Sequence, residues 1–296
     1  MKAAWWIFFG AMLFSISAYA EPVLEKRNGA IWVKSATTHE VERLFEEHGF
    51  RNFSEVRMKF PRIYLTKLPT DWQEIPQTDN KNRIFIRILL PLVLKVNEAL
   101  RQERAEIEKI NEKFEKDGKI SVADRKLLEE KAKKYDVFTR MDGDTRISIL
   151  LTKLLLKIGD VPPSIMIVTA AIYTDWGMSR LAVEANSLYR EEIWYQKEGL
   201  KPLDDENAEY RYKIFANLED CIASRALQLN SHINYDYFRE ARQMSRAINR
   251  PPFGQQLAAK MMQDSNLHNI AGMIDYTFTY YRLIKTDYFP ELEDVK

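Results

Sequence analysis

PPSIMIVTAAIYTDWGMSRLAVEANSLY, residues Pro162–Tyr189, is the stretch on which the fold turns. Pro162-Pro163 opens a helix, because proline's fixed φ and missing N–H cost little in a first turn. Ile165, Val168 and Ile172 recur at i, i+3 and i+7 and predict one apolar face. Trp176-Gly177 ends the run, since Gly177 reaches a positive φ that other residues resist. Ser179 predicts an N-cap for a second helix carrying Leu181, Ala182 and Ala185.

Working back from this stretch, Arg146–Ile158 predicts an apolar helix closed by Gly159-Asp160. Arg101–Lys134 is dominated by charge of both signs, with a sparse stripe of Ile107, Ile110 and Phe114. Asp117-Gly118 breaks it, and Ser121 with Asp124 has the spacing of a cap. An antiparallel helical hairpin follows over 101–134. It reads as a solvated strut or, more sharply, as a partner-binding arm. Arg83–Arg104 is apolar all round and predicts a buried helix kinked at Pro91. Glu98 lies at the edge of that core, where a carboxylate either pairs with an arginine or faces a cleft. Val41–Glu47 predicts a short helix. Arg62–Leu65 reads as extended and Leu68–Asp71 as a turn, whereas Leu24–Val33 is too irregular to assign.

Met1–Ala20 has the pattern of a secretory signal. Lys2 is followed by an apolar run, and Ala18-Tyr19-Ala20 fits a small-x-small cleavage site. The expected mature chain, Glu21–Lys296, is then periplasmic or secreted, with no stable membrane span after cleavage. Cys221 is the one cysteine, which excludes an intrachain disulfide and a metal–thiolate cluster. The 296 residues carry 44 basic and 43 acidic side chains, so the totals point to no nucleic-acid partner. Asp117, Asp142 and Asp144 lack calcium-loop spacing, and the 4 histidines lack zinc spacing. No metal and no cofactor is expected.

The organising stretch resembles the core motif of glucosaminidase-type peptidoglycan hydrolases, in particular their Bax-like branch. Pro162, Pro163, Ser164, Ala170, Ala171, Trp176, Gly177, Ser179, Arg180, Ala182, Asn186 and Leu188 fall in register in one ungapped run. Pro61, Arg62, Tyr64, Leu65, Leu68 and Pro69 match an N-terminal motif of the same branch. So do Phe85, Arg87, Leu89–Leu94, Asn97 and Glu98, and further segments match around Phe215, Leu227–His232 and Tyr235–Arg239. The resemblance implies a mainly α, lysozyme-like glucosaminidase domain over 136–290, with a small irregular or β lobe near Trp194–Tyr212. An N-terminal helical region, 21–135, precedes it and includes the charged hairpin. Gly254–Met262 would be the closing helix, Asn266–Tyr281 a last helix, and Leu292–Lys296 a frayed tail.

One departure matters most. The family's general-acid glutamate falls on Tyr173. Glycoside hydrolysis needs a carboxylic acid of raised pKa to protonate the leaving oxygen, and a phenol of pKa about 10 is a poor donor at neutral pH. Asp175, Asp264 and Glu98 are the rescue candidates. On a continuous helix Asp175 would point about 200° away from Tyr173. Asp264-Ser265 occupies the place of a tyrosine-serine pair in the family. His232 is expected to be a structural hydrogen-bonding residue, and Glu184 to face solvent. A glycan cleft would be lined by Tyr173, Trp176, Asn186, Trp194 and Tyr195, the last two stacking on sugar rings or packing in a core. The expectation is an exported, catalytically degenerate cell-wall protein that binds peptidoglycan glycan strands or regulates a cell-wall hydrolase. Two alternatives stand beside it: an active N-acetylglucosaminidase with a non-standard acid, and a periplasmic scaffold acting through the hairpin.

Overall fold

Asn28 and Gly29, at φ +50° and +69°, supply the two positive φ angles of a tight two-residue hairpin turn. The turn joins β1 (Val23–Arg27) to β2 (Ala30–Ser35) with Arg27 opposite Ala30. This Asn-Gly pair is the local signal for the segment that had read as irregular. Thr37 and Glu40 form a reciprocal capping box at the start of α1 (Thr38–Glu47). β3 (Lys59–Pro61) and β4 (Ile63–Leu65) follow, and β4 pairs parallel with β2. The N-terminal region therefore adds a three-stranded sheet to its helices. The computed structural model describes residues 21–53, 59–203, 205, 207–248, 250, 254–255, 257–258, 271–288 and 290–295. The signal-like segment and Asp264-Ser265 lie outside them.

α2 (Asp79–Asp117) is one 39-residue helix that runs through Pro91 and joins the two segments read separately in the sequence. Ile84–Leu94 is buried on every side, so neighbouring elements hold the turn in which proline removes a bond. From Arg101 onward the helix is charged and buries only Ile107 and Ile110. Gly118, at φ +62°, ends the helix in the left-handed conformation. The Ser121 hydroxyl caps α3 (Val122–Lys134), and α4 (Gly143–Lys157) follows. The hairpin does not stand alone: Leu128, Ala132 and Tyr135 form a second core with Ile147, Leu150, Leu151 and Leu154 of α4.

The main core surrounds α5 (Pro163–Thr174), which is buried from Pro163 to Ala171. It takes in α2, the N-terminal sheet and later helices, so packing runs across residues 135–136. α6 (Arg180–Ala185) is capped by Ser179. β5 (Glu192–Trp194) and β6 (Tyr210–Tyr212) form an antiparallel ribbon where a small β lobe was expected. α7 (Leu218–Ser231), α8 (Asp236–Ala247) and α9 (Ala271–Tyr280) close the described chain, with a 3-10 segment at Leu283–Tyr288. Residues expected to fray instead form β7 (Glu291–Glu293), which pairs parallel with β3, and the Val295 N–H donates to the Gly29 carbonyl at 2.7 Å. The molecule is thus mainly helical with small sheets. No helix among the described residues is long and apolar enough to cross a membrane.

Gly177 is the tightest point of the organising stretch. Its φ is +83°, and a Cβ there would lie 2.8 Å from Leu68 Cδ1 and from Trp72 Nε1. Gly177→Ala combines left-handed strain with overpacking and is expected to lose about 3 kcal/mol of stability. Urea denaturation checks this, and a loss under about 1 kcal/mol would mean that the turn relaxes at little cost.

Candidate functional site

The end of α5 is built by a short hydrogen-bond relay. Thr174 is buried, its hydroxyl donates to the Ala170 carbonyl at 2.6 Å, and it accepts from the Gly177 N–H at 2.9 Å. Asp175, Trp176 and Gly177 follow in the left-handed region, with φ of +48°, +56° and +83°. Three such residues in succession reverse the chain at once, and the Trp176 N–H returns to the Ala171 carbonyl at 2.7 Å. This is the local reason why the helix cannot be extended past Thr174 to place Asp175 by helical periodicity.

Tyr173 is half-buried against the core just before this turn. Burial raises its phenol pKa, opposed by the positive charges of Arg225 and Arg190. Arg225 lies buried in α7. Its guanidinium sits 5.2 Å from the centre of the Tyr235 ring and 5.9 Å from that of Tyr189, and it donates to the Tyr235 hydroxyl at 3.0 Å. Two arginines and Tyr235 thus act electrostatically on Tyr173. A phenol whose pKa burial raises is a weak proton donor.

From Arg190 a run of aromatic rings leads to the surface. Arg190 donates to the Tyr212 hydroxyl at 3.1 Å. Tyr212 packs edge-on to Tyr210 at 5.5 Å, Tyr210 lies 5.3 Å from Trp194, and Trp194 lies 6.2 Å from Tyr195. The β5–β6 register explains the ladder, because Trp194 stands opposite Tyr210. Trp194 is 51% exposed and Tyr195 81% exposed, so these rings face solvent instead of filling a core.

The other expected site residues lie elsewhere. Trp176 is half-buried and turns toward α2 and the C-terminal helix, with its ring 6.0 Å from Phe85 and 5.1 Å from Tyr281. Asn186 is buried in the left-handed exit of α6, and its amide donates to the Phe215 carbonyl at 2.9 Å. That side chain is spent on the fold. Asp175 is exposed. Glu98 forms a two-pronged ion pair with Arg62 at 2.8 and 3.0 Å. Glu184 is exposed and pairs with Arg180, while His232 accepts from the Asn234 N–H at 3.3 Å. A groove of about 710 Å³ between α2 and α7 holds Glu98 and does not include Tyr173. Its rim charges are largely paired internally, Lys95 with Glu219 and Lys213 with Glu191 at 2.7 Å. Among the described residues no cluster of three His, Cys, Asp or Glu side chains is arranged to hold a metal.

Arg225 and Arg190 were not singled out in the sequence. A signal for Arg225 existed: it interrupts the buried stripe of Cys221, Ile222, Ala226 and Leu229 on α7. A lone charge on an apolar helix face needs a partner inside.

With this geometry in place, comparison with known proteins adds one relative. Protein bax of Escherichia coli (strain K12) is 28% identical over 177 residues, covering 58% of this chain. The match spans 59% of that relative's length. No protein-family model matches the chain. No solved structure matches it.

Proposed function

We propose that this is an exported cell-wall protein whose glucosaminidase-like body binds peptidoglycan glycan strands without the usual hydrolysis. The similarity to Protein bax supports a family of this kind. The observation that carries the loss of hydrolysis is the setting of Tyr173. The position of the family's acid holds a half-buried phenol beside Arg225 and Arg190. Glu98 is committed to Arg62, and Asp175 is exposed beyond the turn. Glycan binding is assigned to the solvent-facing rings of Trp194 and Tyr195, with the half-buried Tyr210 supporting Trp194 from behind. Flat rings bury the apolar face of a pyranose, and the phenol and indole edges keep polar handles.

Purified mature protein is mixed with intact peptidoglycan, and soluble products are read by mass spectrometry alongside sedimentation of the bound protein. The expected result is co-sedimentation without released fragments. Trp194→Ala with Tyr195→Ala is expected to weaken retention by about tenfold, the scale of one or two aromatic contacts. Released glucosaminidase-type fragments from the native protein would overturn the degenerate reading and direct attention to Asp175→Asn and Asp264→Asn. Activity appearing in Tyr173→Glu would identify the missing carboxylic acid as the cause.

A further inference from the structure

α9 has two apolar faces. The inner one, Ile274 and Phe278, is buried in the main core. The outer one, Met273, Tyr276 and Tyr280, recurs at i, i+3 and i+7 and remains 56%, 62% and 47% exposed. Packing the helix onto the body requires only the first. Tyr276 and Tyr280 stack nearly parallel, with ring centres 5.3 Å apart and planes 17° apart, so each covers part of the other's face and the pair turns its remaining ring surface to solvent. Tyr281 joins them edge-on to Tyr280 at 4.9 Å and to Trp176 at 5.1 Å.

These rings line a cleft of about 530 Å³ whose other wall is the start of α2. That wall is polar. Asp79 pairs with Arg83 at 2.8 Å, and the Asn82 amide donates to the Tyr281 hydroxyl at 2.9 Å. Burial opposes the Asp79 charge, but Arg83 and the hydroxyls of Tyr281 and Tyr280 hold its pKa below the usual carboxylate range. The cleft therefore combines an aromatic wall of stacked tyrosine rings, an ionised acceptor with its charge compensated, and an amide. A charged ligand would find no uncompensated charge of opposite sign in the Asp79–Arg83 pair. A neutral ring with one apolar face and equatorial hydroxyls matches both walls.

We propose that the α9–α2 cleft binds a neutral pyranose ring through the stacked Tyr276 and Tyr280, with Asp79 and Asn82 meeting its hydroxyl or acetamido groups. It is a second sugar platform, separate from the Trp194 ribbon, and it does not require the ribbon to bind glycan. It adds a role for Trp176, whose ring supports Tyr281 at the inner end.

The test is titration calorimetry of the full mature protein with the N-acetylglucosamine trimer. Four proteins are compared: wild type, Tyr276→Ala/Tyr280→Ala, Tyr276→Phe/Tyr280→Phe and Trp194→Ala. Circular dichroism verifies that each variant is folded, which these exposed positions permit. The alanine pair is expected to weaken binding by about tenfold, and the phenylalanine pair, which keeps the rings, by about threefold or less. Wild-type affinity retained within about twofold in the alanine pair overturns the proposal. If Trp194→Ala alone then removes binding, the ribbon reading survives while this one fails. If instead the alanine pair loses binding and Trp194→Ala does not, this proposal stands and the ribbon reading fails. No trimer binding by wild type overturns the proposal. So does concentration-dependent self-association that disappears in the alanine pair, because the tyrosine face is then a contact between copies of the chain.

Discussion

Arg242→Met is expected to lower the thermal midpoint by about 10 °C, the shift that roughly 3–5 kcal/mol produces in a domain of this size. Arg242 is fully buried on α8, a helix whose sequence, DYFREARQMSRA, reads as a polar surface element. Its guanidinium reaches the exit of α4. One terminal nitrogen donates to the carbonyls of Gly159 and Asp160 at 2.9 and 3.1 Å and to Asn230 Oδ1 at 2.6 Å. The other donates to the carbonyls of Leu156 and Lys157 at 3.2 and 2.7 Å. The last carbonyls of a helix have no partner within the helix and carry the negative end of its dipole. A planar cation with several donors satisfies them together. Methionine fills the same space but donates to none of them, so the Leu156, Lys157 and Asp160 carbonyls lose this donor while Gly159 keeps the Asn230 amide at 3.0 Å. Arg242→Lys keeps the charge but cannot span both sets, so its midpoint should fall between the two. Differential scanning calorimetry checks the series. A shift under about 2 °C for methionine would show that water replaces the clamp.

Asp287→Ala is expected to cost about 3–5 kcal/mol, since it orphans three buried donors. The Asp287 carboxylate is fully buried and accepts from the Ser164 N–H at 2.9 Å, the Ser164 hydroxyl at 2.6 Å and the Gly254 N–H at 2.7 Å. Pro162 makes no side-chain cap at the start of α5, so an acceptor 123 residues downstream from Ser164 caps the organising helix. Burial pushes the Asp287 pKa up to about 7, against the lowering effect of Ser164 and Gly254. The folded state then holds this proton at pH values where the unfolded chain, with a carboxyl pKa of about 3.9, has released it. The contribution of Asp287 to stability therefore falls as pH rises from about 4 to 7, by on the order of 2–4 kcal/mol. Asp287→Asn removes that proton. The stability difference between wild type and Asp287→Asn, measured by denaturant titration at pH 5 and pH 8, should shift toward the asparagine variant at the higher pH. A pH-independent difference would mean that Asp287 is ionised throughout, held so by its three donors.

Local chemistry was legible wherever a residue's effect stays within a turn or a helix. The left-handed stop at Gly177, the Ser179 and Ser121 caps, the Gly118 break and the apolar helix around Pro91 all appear where their residues predict them. The ribbon at Glu192–Trp194 and Tyr210–Tyr212 lies within the expected lobe. Asn28-Gly29 was equally readable as a hairpin turn. Tyr173, Trp194 and Tyr195 were picked out from short local segments, whereas what surrounds them, Arg225 near the first and Tyr210 beside the second, was not legible there.

What the chain order could not supply is which distant groups meet. Trp176 and Tyr173 are three positions apart, yet the left-handed turn between them sends one ring to Tyr281 and leaves the other near Arg225. Asn186 looks available in sequence and is consumed by the Phe215 carbonyl. Arg242 and Asp287 would each be placed in solvent on composition, but each is buried because an element far along the chain brings partners to it. By itself the sequence determined the stops at Gly118 and Gly177, the caps at Ser121 and Ser179, and the absence of a carboxylate at position 173. Only the tertiary structure decided which polar groups are used up inside and which aromatic faces remain open, because burial and hydrogen-bond satisfaction depend on neighbours that local periodicity does not contain.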